Sequence, residues 1–176
     1  MIPPFIKTWE DHRWFWTEPD YHHNWKIMCC GEMGTTALAF RESVPDLSRV
    51  LQPSLEGVLD ILDHVPPEGD WPEGATYWSG TLGHGLRFGL ALHRATEGSV
   101  SLFDHPSLAV TGDYLSQLVE PDGLSYDFGD KITSYWVGVS TFSCCWPALP
   151  GGVTGRAWRG GVATQLSRSW HGTTRQ

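Results

Sequence analysis

The clearest pattern in the chain lies between positions 46 and 64. Val50, Leu51, Leu55, Val58, Leu59 and Leu62 recur at helical spacing and form one apolar stripe. Asp46, in the turn Ser43-Val44-Pro45-Asp46, is placed to cap this helix, which is predicted to run to about His64. A second pattern covers 77–96, where Leu82, Leu86, Phe88, Leu90, Ala91 and Leu92 are interleaved with Gly80, Gly83, Gly85 and Gly89. Glycine lowers helix propensity but permits close approach of a neighbouring helix or a ligand.

Three further segments read as helices. Residues 5–16 are aromatic with mixed charge, with Pro3 and Pro4 before them and Thr17-Glu18-Pro19-Asp20 after. Residues 24–41 carry Gly31, Gly34, Thr35, Thr36, Ala37 and Ala39, a small-residue face that suits tight packing, and Asn24 is the expected N-cap. Pro106 opens the last helix, which extends to about Leu118. Between the third and fourth helices, 65–76 is turn chemistry throughout, and 121–130 reads as a turn with a short extended piece. The prediction is an all-α, antiparallel arrangement with long loops.

Composition narrows the picture. With 40% hydrophobic and 18% charged residues, the 176-residue chain is globular and suits one domain or a piece of a larger one. No apolar run is long enough to span a membrane, and the first residues do not resemble a signal peptide. The chain therefore reads as cytoplasmic as written, with a periplasmic location open to a full-length form. The formal net charge of −8 argues against a nucleic-acid partner. All 20 acidic residues and seven of the twelve basic ones fall in 1–130, while 131–176 holds five basic residues and no acidic one. Such a break marks a boundary. It divides the chain into 1–130 and a Gly-, Ser-, Trp- and Arg-rich end, 131–176, read either as a basic, partly disordered tail or as frame-shifted sequence.

The cysteines form two adjacent pairs, Cys29-Cys30 and Cys144-Cys145. Adjacent cysteines reach one zinc ion badly, so buried free thiols are expected, which weakly favours a reducing compartment. His22, His23, His12, Asp11 and Asp20 lack regular ligand spacing, and no metal or other cofactor is expected. Ten tryptophans point mildly towards carbohydrate, because an indole face stacks on a sugar ring.

Three stretches in order, "HHNWKIMCCGEMGTTALAF" (22–40), "PPEGDWPEGATYWSGTLGHGLRFGLAL" (66–92) and "FDHPSLAVTGDYLSQLVEPDGLSYDFGD" (103–130), resemble the α/α-toroid domain of heparinase II/III-like proteins, relatives of the alginate and chondroitin lyases. The resemblance covers about 5–130 and ends where the charge breaks. It implies an incomplete toroid of antiparallel helix pairs, too short for a whole lyase and without the β-domain that supplies part of the family's site. It also implies β-elimination on a uronate-containing polysaccharide. That chemistry needs hydrogen-bond donors to offset the uronate carboxylate, a base for the C5 proton and a proton for the leaving oxygen.

On these positions Asn24 is the implied carboxylate neutraliser, with His23 assisting and the helix N-terminus adding partial positive charge. Tyr77 is the implied acid/base. His84, two helical turns on and near the same face, is a second proton-transfer candidate. Trp25, Trp71 and Trp78 are candidate sugar platforms, and Glu73 a candidate for a sugar hydroxyl. Each has a plainer reading. Asn24 reads equally as an N-cap with His22 and His23 exposed, Tyr77 as packed on Trp71 and Trp78, His84 as a satisfied helix histidine, Glu73 as a cap, and the tryptophans as core. Two other functions stay open: a glycoside hydrolase, for which Glu73, Asp127 and Asp130 are unpaired candidate acids, and a non-catalytic carbohydrate-binding or structural helical module. The expected partner is an acidic polysaccharide or oligosaccharide; oligomeric state is unreadable.

Overall fold

In a computed structural model the described residues are 2–118 and Gly129. Among them five α-helices form and no strand: α1 (Ile2–Glu10), α2 (Asn24–Ala39), α3 (Ser48–Asp63), α4 (Ala75–Ala95) and α5 (Pro106–Gln117), with 3-10 turns at Phe15–Thr17 and Arg41–Ser43. The all-α expectation holds for these residues. None of these helices is long and apolar enough to cross a membrane. The expectations for 131–176, for Cys144-Cys145 and for 121–130 apart from Gly129 lie outside the described residues.

α3, α4 and α5 start and stop within two residues of where periodicity puts them. Asp46 is not the cap of α3: the N-cap is Leu47, with no side-chain cap bond, and Asp46 stands one residue before it, its Oδ1 accepting from Ser48 Oγ at 2.7 Å and from the Arg49 N–H at 3.4 Å. Two other beginnings differ. The first helix occupies 2–10 rather than 5–16. Pro3 and Pro4 sit inside its first turn, where a missing N–H costs nothing, and the chain breaks at His12, whose φ of 48° leaves the helical region. The break is closed by the Thr17 hydroxyl donating to Trp14 O and by His12 Nδ1 meeting Thr17 O, both at 2.7 Å. At α2 the N-cap is His23, in extended conformation, and Asn24 is the first helical residue, so Asn24 is not the cap. Its side chain is engaged by the His23 ring instead of by backbone N–H groups.

α2 is the centre of the packing. It runs antiparallel to α3, with Lys26 opposite Asp60 and Cys30 against Gly57. It runs parallel to α4, with Gly31 against the His84 backbone and Gly34 against the Phe88 ring. α3 also touches α1 and α5. The stripe read from α3 is the core: Val50, Leu51, Leu55, Val58 and Leu62 are buried, joined by Ile61, with Leu59 packed at the edge. From α2 and α4, Ile27, Leu82, Phe88 and Leu92 complete it.

Cys30 is buried and Cys29 half-buried, both as free thiols. Burial raises the Cys29 thiol to about 11 and pushes Cys30 well up as well. Little reactive thiolate forms at neutral pH.

The glycines of the interface make a paired prediction. A Cβ on Gly31 would lie 2.8 Å from the carbonyl oxygen of His84, a backbone atom that moves only if α2 and α4 separate. Gly80, in the same helix pair, has open space around it. Gly31→Ala is expected to destabilise the fold by about 1–3 kcal/mol. Gly80→Ala is expected to stabilise it by about 0.5–1 kcal/mol through helix propensity. Urea denaturation should give midpoints on opposite sides of the parent; two midpoints shifted in the same direction would refute the close backbone contact.

Candidate functional site

Because α2 and α4 run parallel, their N-termini open at the same end of the bundle. Each brings the partial positive charge of its unpaired N–H groups. The Gly31–His84 register, carried back along the pair, sets Asn24 about level with Tyr77 on the neighbouring first turn. The two ends are joined by one imidazole. His23 Nε2 lies 3.0 Å from Glu73 Oε1, and His23 Nδ1 lies 2.6 Å from Asn24 Oδ1. Glu73, just before α4, is buried, and its other oxygen accepts from Trp71 Nε1 at 2.9 Å.

Both ring nitrogens of His23 thus face oxygens. An imidazolium donating from each satisfies the chain Asn24–His23–Glu73–Trp71. So does a neutral ring with the Asn24 amide turned to donate. In the first arrangement the Asn24 Nδ2 has no acceptor among the described residues. Asn24 is only 4% exposed, whereas His23, Tyr21 and Tyr77 are half-buried and reach solvent.

Sequence reasoning passed over Tyr21, although it stands two residues before His23. Its ring centroid is 5.3 Å from that of His23. Burial, and secondarily the charge of Glu73, raise its phenol above the usual tyrosine value, so it stays protonated and able to donate. Phe15 packs edge-on to Tyr21 at 5.2 Å and to Trp25 at 6.4 Å, which continues an aromatic surface from the site outwards.

Other candidates are placed differently. Trp71 and Trp78 stack on each other at 4.1 Å and are 3% and 0% exposed, so they are core and offer no open platform to a sugar. Trp25 is 48% exposed and does offer a face. Glu73 does not cap α4, whose N-cap is Gly74 with no side-chain bond. His84 stands about 10 Å along α4 from Tyr77. There it joins Glu32 and Arg87 in a separate surface group, in which Arg87 Nη2 lies 2.7 Å from Glu32 Oε1. The hydrogen bonds from Arg87 and then His84 hold the Glu32 carboxyl below its ordinary value. His84 is therefore a satisfied helix histidine and is not brought to Asn24. Gly129, from the "DFGD" stretch, does reach the site: at φ 66° it lies against the Glu73 and Gly74 backbone, where a Cβ would be 2.6 Å from the Glu73 carbonyl.

Behind the site, Lys26 Nζ is 2% exposed and donates to Asp60 Oδ2 at 2.7 Å and to Glu18 O at 2.8 Å. A separate apolar groove of about 420 Å³ lies between α1 and α2, lined by Phe5, Trp14, Trp16, Cys29, Met33 and Glu32, and holds none of His23, Asn24, Glu73 and Tyr77. Comparison with family models, with curated proteins and with solved structures returns no match.

The Lys26–Asp60 pair predicts an asymmetry. Removing Asp60 strands a buried ammonium, and Asp60→Ala is expected to cost about 3–5 kcal/mol. Removing the lysine leaves a carboxylate that is 30% exposed and can be solvated, so Lys26→Met is expected to cost clearly less. Denaturant titration of both variants ranks them; the reverse order would mean that the lysine is not the costlier charge to abandon.

Proposed function

We propose that the end of the bundle where α2 and α4 begin binds the carboxylate of a uronate sugar and that the chain is part of a polysaccharide lyase of the heparinase II/III-like kind. One observation carries the reading: His23 couples Asn24 to Glu73 across two adjacent helix N-termini. A carboxylate placed there meets two positive helix ends and, with the Asn24 oxygen turned to His23, the Asn24 amide N–H. His23, with both nitrogens engaged, is a positioning residue that orients Asn24 and shields the incoming carboxylate from Glu73.

With the carboxylate offset in this way, the C5 proton becomes acidic enough to remove. Tyr77 takes it as the phenolate and becomes the neutral phenol, the C4–O4 bond breaks as the C4=C5 double bond forms, and Tyr21 protonates the departing oxygen. Trp25 supplies the exposed face for a neighbouring sugar. Support for a toroid comes from the helix order. α2 and α4 are neighbours and parallel, and the intervening α3 returns antiparallel and touches α1 and α5, as alternating inner and outer helices of an incomplete α/α toroid would.

The test is ultraviolet absorbance of the unsaturated uronate during incubation with a panel of uronate polysaccharides. A rise is expected with the parent chain. Asn24→Ala should lower it by about a hundredfold or more, the scale of losing one preorganised donor, and Tyr77→Phe should abolish it. New reducing ends without the absorbance would mean a glycoside hydrolase. Binding by the parent chain without any turnover would mean a carbohydrate-binding module. A folded chain that binds no uronate polymer would overturn the reading altogether.

A further inference from the structure

A second group of functional side chains lies between the approach to α2 and the end of α3. His22, Asp60 and His64 each present a ligating atom, and these atoms all lie within 4.8 Å of one another. His22 Nε2 is 3.5 Å from Asp60 Oδ1. Ligands held at about 2.0–2.1 Å around a tetrahedral ion stand about 3.4 Å apart, so the His22–Asp60 pair already has the spacing of two ligands of one ion.

The surroundings prepare it further. Lys26 holds Asp60 Oδ2, which orients the carboxylate and leaves Oδ1 turned to the two imidazoles. His64 Nδ1 stands 2.6 Å from the Asp60 backbone oxygen. Donation of Nδ1–H to that carbonyl fixes the tautomer that carries its lone pair on Nε2, the second contact that metal-ligating histidines commonly make. The His22 and His64 rings stack with centroids 3.3 Å apart, so one ring turns on its side-chain bonds before both in-plane lone pairs meet one ion. All three residues reach solvent, so an ion has an entry path and room for a water.

We propose that His22, Asp60 and His64 bind a divalent transition ion of the zinc type, with water in the fourth position. Two imidazoles and one carboxylate select zinc, cobalt, nickel or copper over magnesium and calcium, which take oxygen shells. The nearby Lys26 ammonium opposes the ion and keeps the affinity below that of a closed structural site. Bound there, the ion ties the segment before α2 to the end of α3 and fixes the stretch that carries Tyr21 and His23. The proposal is independent of the uronate reading, since its probe is the metal alone.

The experiment treats the full chain with a chelator, removes the chelator, and titrates with zinc by calorimetry and with cobalt by visible absorption. One equivalent with a tetrahedral cobalt spectrum is expected, with a zinc-dependent rise in Tm and no response to magnesium. His22→Ala and His64→Ala should each weaken binding by at least about tenfold. His64→Gln, whose amide can still donate to the Asp60 carbonyl, separates loss of the ligand from loss of that contact. Asp60 stays untouched because it holds Lys26. No binding, or binding unchanged in His22→Ala and His64→Gln, would overturn the proposal.

Discussion

The close parallel approach of α2 and α4 is the constraint on which the rest depends. Two helices can come this near only where side chains are missing, and Gly31 and Gly34 on one helix and Gly85 on the other provide that. Each glycine lowers the helix's intrinsic stability by about 1 kcal/mol. The gain is a backbone contact that fixes the register of the pair, and with it the level of Asn24 relative to Tyr77. Had the interface been built from leucines, the helices would stand farther apart and slide more freely. The two N-termini would then lie too far apart for one imidazole to join.

Lys26 acts on the other side of the same helix. A fully covered ammonium is costly to desolvate, and its two acceptors come from distant parts of the chain, the Glu18 carbonyl before α2 and the Asp60 carboxylate on α3. The charge therefore gathers α2, α3 and the incoming segment to one point. Its value lies more in specificity than in stability, since a hydrophobic residue of similar size often packs as well. A methionine there would release the Glu18 carbonyl, one anchor of the segment 18–23 that carries Tyr21, His22 and His23. Both clusters of functional side chains hang from it.

What the sequence makes legible follows from the range of the interactions. The α3 stripe is local and repeats over sixteen residues, so periodicity reads it and the core confirms it. Asp46 marks the start of α3 to within two residues, although the N-cap itself is Leu47. The first helix is misjudged because aromatic residues with mixed charge suit both a helix and a turn, and only the backbone at His12 decides. His84 is a different failure. It does follow Tyr77 by two turns, but the neighbour it meets is Glu32 on α2, and no single-helix argument supplies that. Trp71 and Trp78 fail as platforms because their stacking on each other is tertiary. The Asn24–His23–Glu73 chain joins positions about fifty residues apart, and His22 meets Asp60 and His64 across about forty. Adjacent histidines are visible in the sequence; that they face in different directions, one to each cluster, is not.

The charge distribution bears on how an anionic ligand reaches this end of the bundle. Residues 1–130 hold all 20 acidic side chains against seven basic ones, so the body repels a polyanion at long range. Attraction has to be short-ranged, from helix ends and an amide that act within a few ångströms. Such a site discriminates by contact rather than by steering. A densely sulfated polymer would carry its extra charge into the repelling field and gain nothing from two helix ends that match one carboxylate. A polymer with isolated carboxylates meets the same local donors with less long-range opposition. On the proposed uronate reading, the acidic body would act as a filter on charge density, and the neutral amide of Asn24, rather than an arginine or lysine, would suit a ligand that carries one negative charge per sugar.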